Sequence, residues 1–181
     1  MSDNLKHTKR PDIKLNDPNN LILIDGSGYI FRAFYGLPSM TNENGVPVNA
    51  VFGYTKMLLK LIDDFKPMYV AVIFDVARKT FRNDLYDLYK ANRSDPPEEL
   101  IPQFSIIREA TNAIGLPVVE MEGFEADDLI ATYSKKIIDA GAKVTVISSD
   151  KDLMQLVSTK IRLFDPMKSK VIGEKEVIKT G

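Results

Sequence analysis

Short, wholly apolar runs alternate along this chain with longer stretches whose apolar residues recur at helical spacing. Leu21-Ile22-Leu23-Ile24 is apolar at every position and ends in Asp25-Gly26-Ser27-Gly28. A run apolar on both sides predicts a central parallel strand, with Asp25 at its carboxyl end. The Gly-Ser-Gly that follows predicts a tight turn and close backbone approach. Tyr69 to Phe74 repeats the pattern and ends in Asp75. Pro117 to Met121 leads into Gly123-Phe124-Glu125-Ala126-Asp127-Asp128, and Lys143 to Ser149 ends in Asp150-Lys151-Asp152.

The intervening stretches read as helices. Val51, Phe52, Leu58, Leu61, Ile62 and Phe65 form one face of a helix from Val48 to Phe65, stopped by Lys66-Pro67. A second is predicted to open at Asp95-Pro96, with Asp95 as N-cap and Glu98-Glu99 in its first turn. It buries Leu100, Phe104, Ile107 and Ile114 and ends at Gly115. A third runs from about Glu125 to Ala140, closed by Gly141. A short helical run to Val157 follows. Ile161 to Asp165 and Lys170 to Ile172 flank Pro166-Met167-Lys168-Ser169 as a β-hairpin, and Gly173 to Gly181 begins another helix. Residues 38–47 read as a loop.

This alternation predicts an α/β fold, with a mostly parallel central sheet and helices on both faces. Residues 1–20 are polar and without periodicity, so a disordered tail is expected before one domain spanning 21–181. Sites in such sheets form outside the carboxyl ends of the strands. Asp25, Asp75, Glu125, Asp127, Asp128, Asp150 and Asp152 all fall there. Acids in a first helical turn are favoured by the helix dipole alone, without any ligand. Seven carboxylates at four strand ends, however, would repel one another unless cations offset their charge.

Composition narrows the chemistry. The chain of 181 residues has no Cys, and its single histidine is His7 in the polar tail. Thiolate sites, disulfides and histidine triads are therefore excluded, and carboxylate ligands suit hard divalent cations such as Mg²⁺ or Mn²⁺. The net charge is −1, so nucleic acid must be met by a local patch. One lies between residues 78 and 93, where Arg78, Lys79, Arg82, Lys90 and Arg93 are interleaved with Phe81, Tyr86 and Tyr89. Such a segment can track phosphates and stack bases. It is also what a solvated amphipathic helix looks like, with Asp84 and Asp87 pairing its charges. No phosphate loop of the GxxxxGK[ST] type is present, and the Asp-x-Asp of haloacid-dehalogenase-like phosphatases is absent, since Ser27 stands two residues after Asp25. No run approaches the ~18 apolar residues of a membrane span, and no secretory signal is evident. A cytoplasmic protein without membrane contact is expected.

LILIDGSGYIFRAFYGLP, VAVIFDVARKTFRNDLYDLYKANR, GFEADDLIAT and ISSDKDLMQLV, in this order, closely resemble the 5′-nuclease domain found at the N-terminus of bacterial DNA polymerase I, in the flap endonuclease and PIN-like superfamily. The resemblance implies metal-dependent hydrolysis of DNA near a 5′ end or flap, in replication and repair, leaving a 5′-phosphate. It makes all seven acids metal-site residues. Glu125, Asp127 and Asp150 would lie close to a first ion and Asp152 near a second, with two Mg²⁺ or Mn²⁺ ions in the complete family site. Arg32 and Arg82 would bind DNA, Tyr89 would stack on a base, and Lys90 and Arg93 would contact the scissile phosphate as catalytic residues. It further implies a bacterial, nucleoid-associated, monomeric protein. In that family the chain continues into further acidic ligands and a helix-hairpin-helix element, absent from this sequence. The alternative expectation is therefore a nuclease-impaired DNA-binding fragment that needs a separate C-terminal nuclease or polymerase segment.

Overall fold

The computed structural model describes residues 14–76 and 95–178. The basic segment, including Arg82, Tyr89, Lys90 and Arg93, lies outside the described residues. Six strands make one sheet: β1 (Asn20–Asp25), β2 (Tyr69–Ile73), β3 (Val118–Val119), β4 (Lys143–Ile147), β5 (Ile161–Asp165) and β6 (Lys170–Ile172). Their spatial order is β3-β2-β1-β4-β5-β6. The first five are parallel, and only β6 returns antiparallel against β5, as the expected hairpin.

Strand alternation divides the core into two layers. Ile22 and Ile24 face one side of β1, where they pack with Tyr29, Ile30, Ala50, Tyr54, Leu58 and Ile107. These come from α1 (Gly26–Gly36), α2 (Asn49–Phe65) and α3 (Gln103–Ala113). Leu23 faces the other side with Ile73, Val146 and Leu163, under Leu129 and Ile130 of α4 (Ala126–Asp139). Helices thus cover both faces, as the continuous apolar runs require. A short α5 (Glu174–Ile178) follows β6.

The order in which strands are added reverses at the centre of the sheet. From β1 the chain builds outward through β2 to β3, then returns through α4 to place β4 on the other side of β1. This switch point opens a crevice at the carboxyl ends of β1 and β4.

The structure differs from the sequence-based expectation in four places. Within the stretch 1–20 expected to lie outside the domain, Leu15 is buried in the core and β1 begins at Asn20. Gly26-Ser27-Gly28 is no separate turn but the first turn of α1, with Asp25 as N-cap accepting the Gly28 N–H at 2.9 Å. The close approach does hold: a Cβ on Gly26 would lie 2.9 Å from the Ile73 carbonyl oxygen and against the Phe74 ring. The helix expected from Asp95 starts only at Gln103. Before it run i→i+3 turns, with Leu100 N–H donating to Pro97 O and Gln103 N–H to Leu100 O, because Pro102 has no N–H for a continuous ladder. Finally, the third strand shrinks to Val118–Val119, at the sheet's edge.

Candidate active site

A cleft of about 440 Å³ lies at the carboxyl ends of the strands, and its lining includes Asp25, Asp75, Glu125, Asp127 and Asp150, with Arg32 and the hydroxyls of Ser27 and Ser148. The convergence follows from topology. Asp25 ends β1, Asp75 lies two residues beyond β2, Glu125 and Asp127 open α4, and Asp150 follows β4. The N-termini of α1 and α4 both meet this cleft, so their positive ends offset part of the acidic charge.

Asp25, Asp75 and Asp150 are each held by hydrogen-bond donors. Asp25 accepts from Gly28 N–H at 2.9 Å and from the Ser148 hydroxyl at 2.8 Å. The Asp75 side chain accepts the Ala126 N–H at 2.6 Å. Its own N–H donates to Ser27 Oγ at 3.2 Å, and its carbonyl accepts from Arg108 Nη2 at 2.8 Å. Arg108 also pairs with Glu120 at 2.7 Å and covers the Phe74 ring at 5.0 Å, which locks the end of β2 in place. Asp150 accepts Asp152 N–H at 2.9 Å.

Asp25 is only 7 % exposed. Burial is the main cause that raises its pKa above the ordinary value of 3.8, with Asp75 and Asp150 adding to the rise and the bonds from Gly28 and Ser148 opposing it. A carboxylate pushed this way by neighbouring acids is the electrostatic counterpart of a cation site. The donor set is all oxygen, from carboxylates and hydroxyls, which fits a hard divalent cation.

Two of the seven expected ligands stand apart. Asp128 Oδ2 accepts the Glu125 N–H at 3.0 Å, closing a capping box at the start of α4. Asp152 opens a 3₁₀ turn (Asp152–Leu156) and does not line the cleft. Nor do any three acids among the described residues already meet at one metal-binding point.

The structure adds residues that the sequence reading passed over. Ser148 ties the ends of β4 and β1 together. Asp165, 4 % exposed, is a further strand-end acid; it accepts from Ser149 Oγ at 2.8 Å and Met167 N–H at 2.8 Å, and so braces the loop that presents Asp150. Its signal, an apolar run ending in Asp, was the same one that marked Asp25 and Asp75. Arg108 had no such signal, because its partners lie on other elements.

Residues 20–180 match the sequence family described as the 5′-3′ exonuclease, N-terminal resolvase-like domain. The chain belongs to this family. The chain is 56 % identical over 173 residues to the DNA polymerase I of Rhizobium leguminosarum, covering 91 % of the chain and 17 % of the polymerase. It is 40 % identical over 159 residues to the 5′-3′ exonuclease of Aquifex aeolicus (strain VF5), covering 88 % of the chain and 55 % of that protein. The chain therefore spans about half of one relative and under a fifth of the other. Among solved structures, the T5 D15 protein co-crystallized with metal ions superposes with a TM-score of 0.69 at 23 % identity, covering 89 % of the chain and 60 % of that protein. The bacteriophage T5 D15 flap endonuclease, in a complex with DNA and metal ions, gives 0.67 at 23 % identity, with coverage of 89 % and 60 %. The chain thus has the mostly parallel α/β fold of these structures, as expected from its sequence.

Proposed function

We propose that this chain hydrolyses phosphodiesters of DNA at 5′ ends and flaps, using divalent metal ions held in the acid cleft. The observation that carries this reading is the placement of Asp25, Asp75, Glu125, Asp127 and Asp150 around one cleft with Arg32 beside them. These five acids would hold the metal, and Mg²⁺ or Mn²⁺ suits an all-oxygen site. When bound, such a cation activates water and offsets the charge of the phosphate and the leaving oxygen.

The chain's own residues supply position and charge. Ser148 and the Gly28 N–H fix the orientation of the Asp25 carboxylate. The Ala126 N–H fixes that of Asp75. Arg32, exposed beside the cleft, draws in an anionic strand that the acids would otherwise repel. Arg82, Tyr89, Lys90 and Arg93 complete the proposed DNA contacts, with Lys90 and Arg93 at the scissile phosphate. Asp128 and Asp152 support the site from outside the cleft.

A second reading rests on the spacing of the acids, no three of which form a metal-binding group among the described residues. In it, a further segment of a longer nuclease completes the site. One assay separates the two: cleavage of a labelled 5′-flap duplex with Mg²⁺ or Mn²⁺. Metal-dependent cutting that disappears in Asp127→Ala supports the first reading. Cutting that appears only when a separate C-terminal segment is added supports the second. No cleavage under either condition, at high enzyme and low salt, overturns both.

A further inference from the structure

A second cleft, of about 240 Å³, lies at the opposite, amino ends of the strands. Lys14, Lys143, Lys160 and Arg162 line it, together with Asp17 and Asn20. Four basic side chains against one acid give it a net charge of +3, within a chain whose total is −1. Strands of five or six residues put this cleft some 15–20 Å from the acid cleft. None of its residues takes part in the acid cleft.

A hydrogen-bond relay runs along its floor. Arg162 can only donate, and its Nε–H goes to Thr145 Oγ1 at 3.0 Å. The Thr145 hydroxyl then donates to Asn20 Oδ1 at 3.1 Å. With its oxygen on Thr145, the Asn20 side chain turns its amide nitrogen the other way. That nitrogen is buried, in a side chain only 3 % exposed, and has no acceptor among the described residues. A buried donor left unmatched costs about 1–3 kcal/mol, so an acceptor here would be gained at full value. Arg162 is itself half-buried, and burial lowers its pKa. Donors and positive charges exclude a metal ion and call for an anion.

We propose that this cleft binds a phosphate group, with the Asn20 amide as its buried donor and Lys143, Lys160 and Arg162 as its cations. Such a group has several acceptor oxygens and up to two negative charges, which match a net +3 site better than a single carboxylate does. It can come as a monoester, in free phosphate or a mononucleotide, or as a diester in a nucleic-acid backbone. The assignment stands apart from the nuclease reading and survives its failure.

The test is an NMR titration of the full chain with inorganic phosphate in EDTA, so that no divalent cation can hold the anion at the acid cleft. Saturable shifts of the Asn20 side-chain NH₂, together with the backbone amides of Lys143, Val144 and Arg162, are expected. The exposed pair Lys143→Glu and Lys160→Glu should weaken binding about tenfold or more and leave the fold intact. Thr145→Val, which breaks the relay, should weaken it without changing the charge. Deoxyadenosine monophosphate and a short duplex lacking terminal phosphates separate the sources: shifts with the first alone mean a monoester, and shifts with the duplex mean a backbone. Absence of saturable shifts with all three probes, or an unchanged affinity in the lysine variant, overturns the proposal.

Discussion

The hydroxyl of Ser148 donates to Asp25 across 2.8 Å, joining the carboxyl ends of β4 and β1 where the order of strand addition reverses. Ser148 is one of two donors that hold down the pKa of a buried acid. Ser148→Ala should raise that pKa further. The acid limb of the pH–activity profile should then move to higher pH, with kcat falling more than KM rises. A profile superposable on the wild type would refute this role.

Asp25 itself should trade stability for site chemistry. Its folded pKa is raised above the ordinary value of 3.8, so the folded state binds the proton more tightly than the unfolded state. Stability from this group is full below 3.8 and is lost as pH rises through the folded pKa. Asp25→Asn keeps the N-cap, since Asn caps as well as Asp, and removes the buried charge. Melting in EDTA at neutral pH should therefore show a higher Tm than the wild type, with a flatter acid-side dependence. Cleavage should be lost in the same protein. Asp25→Ala, which also loses the cap, should be less stable than Asp25→Asn by about 1 kcal/mol.

Gln103 should be the most sensitive polar residue of the core. It is fully buried, and its Oε1 accepts the N–H groups of Ala50 at 2.8 Å and Val51 at 3.1 Å. Its Nε2 donates to Asn49 Oδ1 and to Glu99 O, both at 2.9 Å. In effect a side chain 53 residues away caps α2, whose own N-cap, Val48, has no side-chain bond to offer. Gln103→Ala orphans two donors and two acceptors and should cost about 2–4 kcal/mol, read as a shift in denaturation midpoint at constant slope.

Gly26 should not tolerate a methyl group. Gly26→Ala puts Cβ against Phe74 and the Ile73 carbonyl, and overpacking of this kind costs about 1–3 kcal/mol. The Phe74 ring is pinned under Arg108, so it has little room to yield. Thermal melting checks the loss. Gly36→Ala, which meets nothing within 4 Å, is the matched control.

Divalent metal should stabilise the fold through the acid cleft. Mg²⁺ or Mn²⁺ at a hundred times its Kd should add about 2.7 kcal/mol, visible as a rise in Tm that EDTA reverses. Asp127→Ala should blunt that rise. An equal rise in Asp127→Ala would place the ion elsewhere.

The strands and their acid ends were legible because a strand buried on both faces leaves a continuous apolar signature, and the polar residue that ends it falls at the sheet's edge. Asp25, Asp75 and Asp150 were found that way, and the cleft brings them together. The start of α3 was misread because Asp95-Pro96 is a good cap signal locally, while Pro102 acts from further along. Asp128 also closes a capping box with the Glu125 N–H, a bond its place at the start of a helix makes possible. Gln103, Arg108 and Ser148 left no local trace, since each acts on an element distant in sequence. Periodicity reports burial, not partners.

The central position of β1 also bears on how the chain is made. It pairs with β2 on one side and with β4 on the other, and the Ser148–Asp25 bond spans 123 residues. During translation the first strand of the sheet keeps one edge of unpaired N–H and C=O groups open until β4 has left the ribosome. Open edges of this kind attract other strands, and distant pairings form slowly. The same arrangement that creates the crevice at the switch point therefore makes a nascent chain halted before β4 a natural client for chaperones.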